Sequence, residues 1–388
     1  MVSRKERFTV IRGGDVYAPD HIGVKDVLLV GERVILIRER VDVPQSLGVS
    51  VIDASGGLVV PGFIDPHVHV LGGGGEGGPA TRVPEVSLTD LTLAGVTTVV
   101  GVLGTDNVSR SAEALLAKTK GLRLEGVSAY MYTGSFHLPP ATITGSVKRD
   151  VALIEEVIGV KTAISDHRGS EMSVQELAQL SSEARFGGML GSKAGIVHVH
   201  LGGGPEGLGP VNEVIERGNI PIGQFLPTHV SRSPSLLEQG IDLVRRGGSI
   251  DLNPSRDESR TLSVVETLRD SGVDLTRVTF SSDGNGTQCR FNEEGELVGY
   301  GIGEVSTLGK AFRAIVGSGT LPLTEALRLF TSNPADILGL SERKGRIGEG
   351  MDADFLILDG DLNVDGVFAR GRLMVEEGRA MVKGTFER

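Results

Sequence analysis

Between residues 61 and about 340, short apolar runs alternate with segments whose apolar positions recur at helical spacing. The runs Val59–Val70, Thr97–Leu103, Ser128–Tyr132, Gly159–Ile164, Gly195–His200, Ile222–His229, Ser249–Leu252 and Val278–Ser281 read as strands. Helical patterns fall between them at Ala112–Lys118, Val147–Val157, Val174–Phe186, Leu236–Arg245 and Ser263–Ser271. Eight such runs in sequence predict an α/β fold, a (β/α)8 TIM-like barrel, in preference to an open sheet. The rival doubly wound sheet carries G-x-G-x-x-G between its first strand and helix. The tract Gly72–Gly78 imitates that motif, but no helical pattern begins directly after it.

The two ends of the chain have a different pattern. Residues 8 to 60 hold β-type runs at Phe8–Ile11, Val27–Val30, Arg33–Ile37 and Ser50–Asp53, without a clear helix. Residues 345 to 385 repeat this at Phe355–Leu358, Gly366–Ala369, Arg372–Val375 and Arg379–Val382. Strand-rich flanks on either side of a barrel can pair with each other. The expectation is therefore a catalytic barrel over residues 61–342 and a small discontinuous β-sandwich assembled from residues 1–60 and 343–388.

Composition narrows the partners. A net charge of −11 argues against nucleic acid and against an anionic membrane surface. No stretch approaches the ~20 apolar residues of a membrane span. The first residues, Met-Val-Ser-Arg-Lys-Glu-Arg, lead into no apolar signal-peptide core, so the reading is cytoplasmic. Cys289 is the only cysteine, which excludes an internal disulfide and a thiolate-rich metal cage and leaves it a structural or incidental residue. Any metal chemistry here has to rest on histidine and oxygen donors.

Such donors are present at the right places. In Pro61-Gly-Phe-Ile-Asp-Pro-His67-Val-His69-Val, alternation puts two imidazoles on one face at a strand end. Imidazole suits zinc and its neighbours. Lys161 sits in the apolar strand Ile158-Gly-Val-Lys161-Thr-Ala-Ile, where an unpaired ammonium is costly. Either an acid such as Asp166 neutralises it, or its lowered pKa lets it take up CO2 as a carbamate bridging two metals. His200 and His229 end the fifth and sixth runs, and Asp283 follows the eighth. His198 and His200 share a face, so spacing alone does not choose between them. All of these lie at carboxyl ends of predicted strands, where barrel enzymes place their sites.

This set, taken in strand order, resembles the binuclear metal centre of the amidohydrolase superfamily. The segments around Gly72–Pro79, Gly101–Asp106, Ile143–Asp150, Ile164–Arg168, Leu226–Arg232 and Ser281–Thr287, with the terminal Gly371-Arg-Leu-Met-Val and Lys383-Gly-Thr-Phe-Glu, resemble isoaspartyl (β-aspartyl) dipeptidases over nearly the whole chain. The resemblance implies two Zn2+ per subunit. His67, His69 and Asp283 would hold one and His200 and His229 the other, with carboxylated Lys161 and a hydroxide between them. Asp283 would also move the proton. Glu76 would meet the substrate's α-ammonium, and Arg168, Arg232, Thr105, Thr287 and the Gly74–Gly75 backbone its carboxylates. A homo-oligomer, commonly an octamer, is implied as well.

One position departs from the family pattern. In Tyr132-Thr-Gly-Ser-Phe136-His137-Leu-Pro, Phe136 stands where the resemblance calls for a tyrosine that stabilises the oxyanion. Losing one such donor costs roughly 10²–10³ in kcat, which predicts reduced rather than absent turnover. Tyr132 and His137 are nearby substitutes, though neither aligns with the missing hydroxyl. Two other readings compete. A cyclic amidohydrolase of the hydantoinase or dihydroorotase kind is disfavoured by Glu76, because a ring amide offers no ammonium. A non-catalytic scaffold is disfavoured by the complete ligand set. His21 reads as a loop residue, His137 as an exposed one, and His167 as lining or orienting the site.

Overall fold

The computed structural model describes residues 8–387 apart from Cys289, Glu293 and Gly295, so the readings of the first seven residues and of Cys289 lie outside the described residues. Five strands come first: β1 (Phe8–Tyr17), β2 (His21–Val30), β3 (Arg33–Arg38), β4 (Ser50–Asp53) and β5 (Leu58–Pro61). Eight follow in alternation with helices: β6 (Phe63–Val68), β7 (Val96–Gly101), β8 (Ser128–Gly134), β9 (Val157–Ile164), β10 (Ile196–Leu201), β11 (Phe225–Thr228), β12 (Ile250–Leu252) and β13 (Val278–Phe280). A short hairpin, β14 (Arg290–Phe291) with β15 (Leu297–Gly299), precedes the terminal strands β16 (Phe355–Leu358), β17 (Val364–Ala369), β18 (Arg372–Glu376) and β19 (Arg379–Ala380).

The run Val59–Val70 is two strands, not one. It breaks at Gly62, whose missing side chain lets the backbone pass Thr97; a Cβ there would collide with the Thr97 side chain. β5, before the break, joins the terminal sheet, while β6, after it, opens the parallel one. β6 to β11 pair in chain order as a parallel sheet, β12 pairs with β13, and a parallel bridge links Val68 to Gly284. Almost every residue of these strands is buried. The architecture is of the TIM-barrel type, with helices outside the parallel strands.

Helix starts follow local chemistry. Ser111, Ser146, Ser173 and Ser233 each accept a backbone N–H in the first turn of the helix they precede, and Ser173 with Glu176 forms a capping box. The helices Ala112–Glu125, Val174–Gly191, Pro234–Arg245 and Glu258–Asp270 run longer than their apolar patterns, whereas Val147–Leu153 ends earlier, before β9. Helices between 307 and 337, which the pattern did not announce, pack Phe312 and Phe330 against Phe63 of β6 and Phe280 of β13.

Strands from both chain ends form one mixed sheet in the order β19-β18-β17-β16-β5-β1-β2-β3, with β4 beside β1. Instead of two separately bonded sheets, they follow a single hydrogen-bonded path. β1 makes this possible through a register shift between Ile11 and Gly14: Thr9–Arg12 pair with β4, and Asp15–Val16 pair with β5. Alternation along β1 and β2 then separates two apolar sets. Ile11, Val27 and Leu29 pack with Phe355 and Phe368, while Val10 and Leu28 pack with Val41.

Candidate active site

The carboxyl ends of the parallel strands bring the six candidate ligands together. Lys161 Nζ lies 3.2 Å from His67 Nε2. Asp283 Oδ1 lies 3.4 Å from His67 Nε2 and 3.3 Å from His69 Nε2. The His229 ring centre is 5.5 Å from that of His67 and 4.4 Å from that of His200. One ligand atom each from His67, His229 and Asp283 fall within 4.8 Å of one another. His229 and Asp283 hold φ of 68° and 52°, a left-handed backbone uncommon outside glycine and one that clusters at functional sites.

Burial sets the electrostatics. It pushes His67, His200 and His229 well below the usual imidazole range, so their lone pairs are free for a metal. Burial also lowers Lys161 to about 7, despite the opposing pull of Asp283 and Asp251, so a substantial share of the amine is neutral near pH 7. The same burial raises Asp283, but a hydrogen bond with His69 and the charges of His229, His69 and Lys161 outweigh it and bring the carboxyl to about 2. Neutral imidazoles, an ionised carboxylate and a deprotonatable lysine are the donor set that a divalent metal site requires, so these residues fit the group.

Asp166 does not neutralise Lys161. It turns to Arg168, which it meets at 3.0 and 2.8 Å, and to His200 Nε2, at 2.8 Å. That contact places the His200 proton on Nε2 and leaves the Nδ1 lone pair free for a metal. On the sixth strand, His229 Nδ1 faces Asn253 Oδ1 at 2.5 Å, and Asn253 Nδ2 donates to the Ser281 carbonyl at 3.1 Å. Because a carbonyl only accepts, the amide orientation is fixed: Oδ1 accepts from His229 Nδ1–H, and Nε2 keeps its lone pair.

His198 and His200 separate in depth. His200 lines the cavity with His229 and Phe136. His198 lies below, stacked on Tyr132 with its Nε2 3.0 Å from His67 Nδ1. The acid Asp251 also approaches His67 and His198. Its oxygens, however, already accept from the hydroxyls of Thr228, Thr279 and Ser281.

A small inner cavity of about 50 Å³ is lined by Gly74, Glu76, Thr105, Phe136, Arg168, Arg232 and Thr287 beside the ligand histidines. Gly75, the remaining candidate contact, does not line it. Glu76 Oε1 accepts from Thr105 Oγ1 at 2.9 Å and lies 3.5 Å from Arg168. Glu76 Oε2 and Thr287 Oγ1 are buried with no hydrogen-bond partner among the described residues. Orphaned polar atoms of this kind call for a ligand. Phe136 packs its ring 4.3 Å from that of His200. Neither nearby substitute for its missing hydroxyl reaches the site. Tyr132 is fully buried against His198, and His137 Nε2 binds the Thr105 carbonyl at 3.1 Å, half-buried rather than exposed. His167 is exposed beside the groove outside, and His21 opens β2 and pairs with Asp15.

Besides Asn253, two supports escaped the sequence reading. Buried Arg110 donates to the carbonyls of Leu71, Gly73 and Val83 and pairs with Asp106, so it holds the glycine tract that carries Glu76. Asp65 accepts from the backbone N–H of His67 and of Ser282, joining the end of β6 to the turn that carries Asp283. The spacing of Asp106 and Arg110, i and i+4 on the loop after β7, was the available signal for the first.

The fold and the donor set define a metal-type hydrolase barrel, and residues 58–374 match the model of the amidohydrolase family. The chain belongs to that family and, within it, to the beta-aspartyl dipeptidases. A beta-aspartyl dipeptidase from Fervidobacterium islandicum AW-1, solved in complex with the beta-Asp-Leu dipeptide, is 42% identical with a TM-score of 0.92, covering 98% of this chain and 100% of that one. A dihydropyrimidinase from Brevibacillus agri shares the fold at 18% identity and a TM-score of 0.68, with 97% of each chain covered. A dihydroorotase from Streptococcus thermophilus is 25% identical over 374 residues, which span 86% of this chain and 85% of that protein.

Proposed function

We propose that this chain hydrolyses the β-aspartyl amide bond of dipeptides with the help of two zinc ions. The observation that carries the reading is the unpartnered Glu76 Oε2, buried beside the ligand histidines and Arg168. A carboxylate placed there selects a free α-ammonium, which an isoaspartyl residue offers and a hydantoin ring does not. In this reading His67, His69 and Asp283 would hold one ion and His200 and His229 the other, and Lys161, as a carbamate, would add an anionic oxygen ligand. When bound, such a pair supplies an acidified water and a polarised carbonyl.

The chain's own groups do the rest. Arg168, already oriented by Asp166, and Arg232 take the substrate's carboxylates through charge-assisted contacts. Thr105, Thr287 and the Gly74 backbone complete the cradle, with Gly75 outside the inner cavity. Asp283, ionised at neutral pH, accepts the nucleophile's proton and returns it to the leaving nitrogen. We further read β6–β13 as the eight strands of one (β/α)8 barrel spanning residues 61–342, with residues 1–60 and 343–388 as the small second domain. A cytoplasmic homo-oligomer, an octamer by family resemblance, goes with this reading. No helix among the described residues is long and apolar enough to cross a membrane.

The test is hydrolysis of β-Asp-Leu against α-Asp-Leu by zinc-loaded protein. Cleavage of the β-isomer alone is expected, with Asp283→Asn lowering kcat by at least a hundredfold. Equal cleavage of both isomers, or full activity in the variant, would remove the assignment.

A further inference from the structure

Glu76 stands between glycines, so no side chain next to it in sequence braces its backbone. Arg110 holds the residues before it, and Thr81 Oγ1 accepts the Gly77 N–H at 3.2 Å from within the same loop. Two further contacts come from across the site. After Asp283 the chain runs out as an antiparallel ribbon: Asn285 N–H donates to the Gly303 carbonyl at 2.8 Å, Thr287 bridges Ile302, and Gln288 exchanges backbone hydrogen bonds with Gly301. This ribbon meets the glycine tract on both sides of Glu76. At Gly74, which lines the inner cavity, a Cβ would crowd the Thr287 hydroxyl at 2.7 Å. At Gly77, outside the cavity, a Cβ would overlap the hydroxyl and Cζ of Tyr300, whose side chain is 45% exposed. Gly77 does not hold a left-handed φ, so its backbone alone would admit a side chain. What excludes one is the Tyr300 ring lying on it.

We propose that Tyr300 is a positioning residue for the α-ammonium subsite: by lying on Gly77 it keeps Glu76 turned into the cavity. The inference rests on the hydrolytic reading above and adds to it the group that holds its ammonium contact in place. Glu76 Oε2 has no hydrogen-bond partner among the described residues, so its aim depends on the backbone that carries it. Thr287 and Tyr300 bracket that backbone from one ribbon, and the same ribbon has Asp283 at its root. The ammonium contact and the carboxylate that moves the proton are thus set by a single element. An interaction made equally with substrate and transition state changes KM and leaves kcat alone. Loss of Tyr300 therefore falls on binding of the amine.

The experiment measures β-Asp-Leu kinetics in the zinc-loaded parent, Tyr300→Ala, Tyr300→Phe, Gly77→Ala and the Gly77→Ala/Tyr300→Ala pair, with competitive inhibition by L-aspartate and by succinate. Succinate is aspartate without its amine. The parent is expected to bind aspartate at least tenfold more tightly. In Tyr300→Ala, KM should rise at least fivefold with kcat within threefold, and the preference for aspartate should fall at least fivefold while succinate stays within twofold. Tyr300→Phe keeps the ring on Gly77 and should retain most of that preference. Gly77→Ala pushes the ring away and should reproduce the loss, and the pair should lose no more than the larger single change. An unchanged aspartate preference in Tyr300→Ala, or losses that multiply in the pair, would overturn the role of Tyr300 alone. Equal binding of aspartate and succinate by the parent, or no cleavage of β-Asp-Leu, would overturn the hydrolytic reading and this inference with it.

Discussion

Phe136 illustrates how far one atom can matter at an otherwise complete site. It is buried, it lines the inner cavity, and its ring lies against His200, so the shape of the wall is kept. Phe136→Tyr adds one hydroxyl and is expected to raise kcat by at least tenfold with unchanged zinc content, read from steady-state kinetics beside elemental analysis. An unchanged rate would mean that the oxyanion is stabilised by another group. At this scale the sequence was readable for residue types and silent on depth. Period-two alternation placed His198 and His200 on one face, but only the folded strand shows one under the site and the other lining it. Tyr132 and His137 stood equally near in sequence, yet each is committed elsewhere.

Among the elements, the junction of β11, β12 and β13 is held unusually. Where the backbone ladder lapses between β11 and β12, side chains replace it. Thr228 bonds Asp251, which bonds Thr279 and Ser281, while Asn253 ties His229 to Ser281. Asn253→Leu is expected to weaken zinc binding about 10–100-fold, measured by competition with a chelator, because His229 loses the partner that fixes its tautomer. Asn253→Asp, which keeps an acceptor, should stay within about threefold of the parent. Equal affinities in all three proteins, with unchanged thermal unfolding, would reduce Asn253 to a spacer. The barrel strands were legible because parallel strands buried on both sides are rich in apolar residues, and because helical spacing recurs between them. The helices of residues 307–337 were not, since they follow the last strand and answer to no alternation. Arg110 and Asn253 escaped for a related reason: their partners are backbone and side-chain groups chosen only by tertiary structure.

For the whole molecule, the seam between barrel and terminal sheet rests on a buried ion cluster. Lys344, 3% exposed, lies 2.6 Å from Asp352 and also pairs with Asp354, and its Nζ reaches Ser128 at the start of β8. Burial lowers the Lys344 pKa, but Asp354 and Asp352 outweigh it and lift the group above its ordinary 10.5. Burial likewise raises Asp352, and Lys344 with Arg343 overcomes it and holds the carboxyl below 3.8. The lysine's contribution is therefore full below 10.5 and fades as pH rises through its folded value. The aspartate's is full above 3.8 and fades as pH falls through its own. Lys344→Met leaves the buried Asp354 without its cation, while Asp352 keeps Arg343 and Arg33, and should cost about 3–5 kcal/mol at pH 7 by denaturant titration, with a shallower loss of stability between pH 5 and pH 3. A loss under about 1 kcal/mol would show the cluster to be incidental.

The sheet built from both ends also constrains how the protein is made. β5 is bordered by β1 and by β16, and Arg370 reaches Glu32 across 338 positions of chain. While the ribosome is still synthesising the barrel, Leu58–Pro61 therefore waits with one bare edge, a template for any passing strand. A stop codon just before Phe355 would leave that edge open for good, and the product would be an aggregate rather than a shortened enzyme.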